Sequence, residues 1–453
     1  MRSVVGLLVL DAGFLLAGAA LVYGLRLADG VRGLIRYAGL ALALGWATTG
    51  LLLTLAVTVG VPLSVALVVG TWIVLAAAGV LVRRREGGAP LRPVEPAGGL
   101  TVVATWAGRA AVATGVWFTA IRCWYPDGHL HPDVWNFWLP KAKIVYFFGG
   151  FSTKLGGFTS QTSPDYPPLH PLQTAVAFHF MGSADVLSLP LQSWILSCAF
   201  LGALVALLRL WVQPHVVWLG VGLLALMPAY VDLVGSGLAD EPLAWLFALA
   251  GVTAALWLLD HDPRVLALAA IFAAAAVLTK NEGSMLVLAV ALAVVIVTRK
   301  LKSALLFGSA AIVCVAVWRV WLRLNDVPHN FAYDYSKLVD VPYLFHRLHR
   351  LVYALAQLGR QLVSPSHWLL IPVALVVLAA FAPATRQLGT FVLVTLVLGV
   401  LGFAAIYWIS PLALHEYVDN SVTRIVDSLM LFSAAALPLV AAEPARTRVT
   451  SGS

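Results

Sequence analysis

The chain has 453 residues, 61% of them hydrophobic and 11% charged, with a formal net charge of +8 and a mean hydropathy of +0.90. Soluble domains carry roughly a quarter charged residues, so this composition excludes a soluble enzyme and describes an integral membrane protein. The basic excess falls mostly in short loops, where it sets orientation and is not a nucleic-acid signal. The three scattered cysteines imply neither a disulfide framework nor a metal cluster.

A membrane-crossing helix needs about 20 apolar residues. On that rule the sequence predicts an all-α polytopic protein with about 13 transmembrane helices. In chain order they are 4–26, 36–59, 62–83, 101–122, 186–209, 214–233, 240–259, 264–280, 283–299, 303–322, 367–384, 388–410 and 424–441. The first follows Met1-Arg2-Ser3 without a small-residue cleavage site and reads as a retained span.

Lysines and arginines then orient the chain. Arg26, Arg32 and Arg36 fall in one loop, Arg83, Arg84, Arg85 and Arg92 in a second, and Arg299, Lys300 and Lys302 in a third; Arg386, Arg446 and Arg448 follow the same pattern. Placing them inside puts the N-terminus outside, together with loops 123–185, 234–239, 280–283, 323–366 and 411–423. The Gly/Pro-rich stretch 86–99 reads as a cytoplasmic linker between accessory N-terminal spans (1–85) and a main membrane domain (100–443), with 444–453 as a cytoplasmic tail. Pro168 to Met181 is too short to span and is expected to lie in, or dip into, the outer interface.

The chemistry gathers in these outer loops. Asp133 follows Pro132, a favoured first helical residue, so the positive end of a short helix is expected to stabilise its carboxylate. Pro140 is expected to interrupt that helix before Lys141 and Lys143, cations at the edge of a span that suit either snorkelling or phosphate binding. Trp124, Trp135 and Trp138 suit sugar stacking or an aromatic belt. Asp240 and Glu241 are adjacent carboxylates that repel unless a cation offsets them, whether a divalent metal such as Mg²⁺ or Mn²⁺ or a Lys/Arg side chain. Lys280-Asn281-Glu282 forms a tight turn with a local Lys–Glu pair. His346, Arg347, His349 and Arg350 make a basic patch. Arg424 runs against the positive-inside bias at the outer mouth of the last span, so it needs an anionic partner, with Asp427 one turn on as the structural option.

Taken together, Asp133 after a span, Trp138-Leu139-Pro140-Lys141-Ala142, Asp165-Tyr166-Pro167-Pro168-Leu169, the Asp240–Glu241 pair and Thr279-Lys280 resemble the GT-C superfamily of polytopic glycosyltransferases. The nearest branch is similar to bacterial relatives of the dolichyl-phosphate-mannose protein mannosyltransferases, over roughly residues 100 to 440. The resemblance implies transfer of a sugar from a polyprenyl-phosphate donor to a polysaccharide, lipid or protein acceptor at the extracytoplasmic face of the cell membrane. It implies Asp133 as the catalytic base. Lys141, Asp165, Tyr166, His170, Trp138, Lys280, Glu282, Arg347, Arg350 and Arg424 form the expected substrate-binding set, and Asp240 and Glu241 the expected metal pair. The reading from another class is a transporter or flippase of lipid-linked sugars, which calls for ionisable residues near mid-span.

Overall fold

The computed structural model describes residues 1–442 apart from 86–88, 92, 96–98, 125–129, 329–333 and 382–385. Arg92, the tail with Arg446 and Arg448, and part of the 86–99 linker lie outside the described residues. Among the described residues every regular element is a helix. That is the expected solution in lipid, where each backbone N–H and C=O must be satisfied within its own segment.

The N-terminal unit comprises α1 (Arg2–Gly24), α2 (Gly30–Arg36), α3 (Ala38–Thr58) and α4 (Val65–Arg85). Its helices pack through small residues: a β-carbon on Gly18 would fall 1.7 Å from Ala41 O, and one on Gly45 1.8 Å from Phe14 O. Backbones approach this closely only at glycine, the usual device for joining helices in lipid. Next come α5 (Leu100–Trp124), a π-helical turn (Val134–Trp138), α6 (Leu139–Phe148), α7 (Leu169–Met181) and α8 (Leu189–Leu208). A β-carbon on Gly39 of α3 would meet Gly202 Cα of α8 at 2.7 Å, so the first unit and the rest share one core.

The chain continues through α9 (Pro214–Ala225), α10 (Pro228–Leu233), α11 (Asp240–Asp260), α12 (Pro263–Thr279), α13 (Asn281–Thr298) and α14 (Leu301–Leu324). The C-terminal part holds α15 (Val341–His346), α16 (Leu348–Leu362), α17 (Pro365–Trp368), α18 (Ile371–Phe381), α19 (Arg386–Ile409), α20 (Leu414–Ile425) and α21 (Asp427–Ala441). Helix α11 is the central pillar, buried from Asp240 through Leu258 and packed against α12 and α21.

Among the described residues nine segments are long and apolar enough to cross a membrane. Four of the expected spans take other forms. The 101–122 segment is the less apolar α5, 264–280 is the 17-residue α12, and the described part of 367–384 holds the 11-residue α18. The expected 214–233 span is two helices, because Pro228 lacks an N–H and pushes Met227 into extended backbone. The 168–181 segment is α7, and it packs on the N-terminal unit, where Gln173 Nε2 donates to Trp46 O of α3 (2.7 Å).

The loops assigned inside are bonded to one another. Leu91 N–H donates to Arg26 O (3.4 Å), Val94 N–H to Arg209 O (2.8 Å), and Arg264 Nη1 to Ala89 O (2.9 Å). With native cysteines replaced, Lys154→Cys is expected to react with an impermeant thiol reagent in intact cells, and Arg85→Cys only after permeabilisation. Both side chains are exposed. Labelling of Arg85→Cys in intact cells would invert the orientation.

Candidate functional site

Asp133 sits where the chain enters the π-helical turn, a form found often at functional sites. The turn runs directly into α6, so Pro140 does not interrupt the helix. It occupies the first turn of α6, where a missing N–H is tolerated. Asp133 Oδ2 accepts from Arg424 Nη1 at 2.7 Å, a contact between residues 291 apart in sequence. Arg424 is in the last turn of α20, and its ion pair runs to Asp133 and not to Asp427 at the head of α21.

Behind this pair lies a buried charge cluster. Lys280 stands in extended backbone between α12 and α13 and donates to Asp240 Oδ1 at 2.8 Å, with Glu282 Oε1 at 3.1 Å. Burial alone would lower the affinity of Lys280 for its proton, but the Asp240 and Glu282 carboxylates outweigh it, and the ammonium is held well above the ordinary lysine range. Arg424 is also within the field of Asp240. Three carboxylates and two cations thus gather at the N-terminal ends of α11 and α13 and the C-terminal end of α20.

Two cavities flank the network and share Asp240 and Arg424 as wall. One, of about 380 Å³, is lined by His131, Asp232, Asp427, His367 and Trp368; the other, of about 300 Å³, by Asp133, Tyr166, Lys280, Tyr407 and Tyr417. Asp133 is about half exposed (48%), reachable by a ligand while still paired. His131, which lines the larger cavity, has no role in the reading of the sequence. Its Nδ1 accepts the Asp133 backbone N–H (3.1 Å), so the neutral ring carries its proton on Nε2. Burial and then the Arg424 charge lower its pKa, favouring that neutral form.

The remaining expected site residues divide. Trp138 and Tyr166 join Phe137 in an edge-packed aromatic wall of the smaller cavity, with ring centroids 4.4 to 5.9 Å apart. Asp165 is buried and its carbonyl accepts from Trp318 Nε1. His170 donates from Nε2 to Gly237 O (3.1 Å), bracing the 234–239 loop, and burial pushes its pKa down to about 4. Arg347 donates to Ser410 O and Arg350 to Tyr407 O and Leu412 O. These two arginines therefore cap carbonyls at the C-terminal end of α19, and neither lines a cavity of the site.

The adjacent Asp240 and Glu241 point to different neighbours. Asp240 faces Lys280, whereas Glu241 accepts from Gly235 N–H and Ser193 Oγ. They do not converge on one point, and no group of three or more His, Cys, Asp or Glu side chains able to hold a metal occurs among the described residues. The two carboxylates are thus held by separate partners.

Lys141 is not a snorkelling cation. It is fully buried, with Nζ donating to Ser163 O (2.6 Å) and lying 3.8 Å from the Phe137 ring centroid. Burial lowers its pKa to about 7 against the opposing pull of Asp165. The folded value lies below the unfolded one, so between about pH 7 and the ordinary lysine range the unfolded chain binds the extra proton. Stability is therefore expected to rise with pH across that window, by up to about 1.4 kcal/mol per unit, and to be level below it. Thermal melts of the purified protein against Lys141→Met check this: the same pH slope in both proteins would show that another group titrates.

Comparison with family models, with curated proteins and with solved structures returns no match.

Proposed function

We propose that this protein is a membrane glycosyltransferase that moves a sugar from a polyprenyl-phosphate donor to an acceptor hydroxyl at the extracytoplasmic face. The observation that carries the reading is the Asp133–Arg424 pair at the meeting of two cavities. A transfer between two substrates needs two sites with one shared reacting centre. It also needs a base for the incoming hydroxyl and a cation for the leaving phosphate.

In this reading Asp133 takes the proton of the acceptor hydroxyl as its oxygen bonds to the anomeric carbon. The bond from that carbon to the phosphate oxygen breaks, its electron pair stays on the phosphate, and Arg424 turns from Asp133 to the new charge. A guanidinium suits that task because it bonds phosphate in a bidentate fork. Lys280 keeps Asp240 in place beside Arg424.

The test is reconstitution into liposomes with a polyprenyl-phosphate hexose radiolabelled in the sugar. Release of free polyprenyl phosphate with label on an added acceptor supports the enzyme. Movement of intact lipid-linked sugar across the bilayer without cleavage would replace it with the transporter reading.

A further inference from the structure

A third, smaller cavity lies apart from the proposed reacting centre, between α3, α7, α8 and α11. It measures about 60 Å³, and Gln173, Gln192, Ser193 and Glu241 line it. All but Ser193 are at least nine-tenths buried. Glu241 differs from its neighbour Asp240 in a physically important way. Asp240 has Lys280 at 2.8 Å, whereas Glu241 is held by neutral donors, Gly235 N–H (3.1 Å), Ser193 Oγ–H (3.4 Å) and the Gly237 amide. It forms no ion pair among the described residues.

The amides on the wall are oriented, and the orientation matters. Gln173 Nε2 donates to Trp46 O at 2.7 Å, which fixes its flip and leaves Oε1 as the other branch. That oxygen is buried without a hydrogen-bond partner. Gln192 Nε2 is turned to the buried Asp11 carboxylate, with Oδ1 at 3.4 Å. The residues that line the cavity thus carry side-chain oxygens on Glu241, Ser193, Gln173 and Gln192, with one formal negative charge among the four.

A buried carboxylate without a countercharge is costly, and so is a buried amide oxygen without a donor. One bound cation relieves both. A divalent ion calls for more carboxylates than this wall supplies. A monovalent ion matches one carboxylate and several neutral oxygens. The cavity therefore has room for a small ion and at least one water. That water also suits the Trp245 indole N–H, a buried donor on the same wall with no partner.

We propose that the Glu241 cavity binds a small monovalent cation such as Na⁺ through Glu241, Ser193, Gln173 and Gln192. The ion then fixes the Gly235–Gly237 corner from behind, since Gly235 N–H and Gly237 O are bonded to Glu241 and His170. This site is independent of the glycosyl-transfer reading and is tested without any assay of activity.

The full-length protein in detergent is melted in sodium, potassium or choline chloride at one ionic strength; choline is too large for the cavity. Ligand binding to the folded state raises Tm by mass action, so sodium or potassium is expected to exceed choline by about 2 °C or more. Glu241→Gln keeps the side-chain shape and should remove the difference, and Gln173→Leu should reduce it. If Glu241→Gln does not fold, Gln173→Leu decides. Equal melting temperatures of the unaltered protein in all three salts would overturn the site and mean a protonated Glu241 among waters. A cation effect that persists undiminished in the foldable variants would place the ion elsewhere and overturn it equally.

Discussion

Asp133→Asn is expected to lower the rate of sugar transfer by about 10²- to 10⁴-fold, the usual loss when a general base is removed. The amide keeps the shape of the carboxylate and still accepts from Arg424, so expression and melting temperature should change little for a side chain that is half exposed. The structure adds a sharper form of this test than the single variant. Because Asp133 and Arg424 are bonded to each other, Arg424→Ala removes both the phosphate contact and the partner of Asp133. If the two act as one unit, the double variant is no slower than the worse single one. Near-normal turnover in Asp133→Asn would remove Asp133 as base, and His131 would not inherit the role, since its ring presents an N–H at Nε2 and not a lone pair. Asp240 and Asp427, which face the larger cavity, would be next.

How far the sequence exposes such a site depends on the range of each contact. The helical membrane class follows from composition alone, because lipid leaves few alternatives to the helix. Lys280–Glu282 is legible because the residues are neighbours in one turn. The need of Asp240 for a cation is legible too, but not that Lys280, 40 residues away, supplies it. The same limit applies to Arg424. An arginine at that position calls for an anion, and Asp427 is the near choice in sequence. The break between α20 and α21 at Val426 instead leaves Arg424 paired with Asp133. Arg347 and Arg350 read as a free basic patch, because a sequence does not show where the last carbonyls of a distant helix end. In the fold those carbonyls, at the end of α19, take the guanidinium donors.

Lys280→Met is expected to be the most destabilising single change in the site. Lys280 is the cation shared by Asp240 and Glu282, which are exposed by only 4% each. Removing one member of a buried ion pair costs about 3–5 kcal/mol, because the charge left behind keeps its desolvation penalty without its attraction. Here two carboxylates are left, so the loss belongs at the upper end of that range, a fall in Tm on the order of 10 °C. Replacing the whole cluster by neutral shapes, Lys280→Met with Asp240→Asn and Glu282→Gln, should recover most of that loss, since neither acid is then stranded. Sugar transfer should not recover with it, because Asp240 also lines both cavities and acts on Arg424. Melting curves and turnover of the single and triple variants separate the two effects. An unchanged melting temperature in Lys280→Met would mean that Asp240 and Glu282 reach water or take up protons, and the cluster would lose its place as the anchor of Arg424. Recovery of turnover in the triple variant would assign the network to the scaffold and leave Asp133 and Arg424 as the reacting pair.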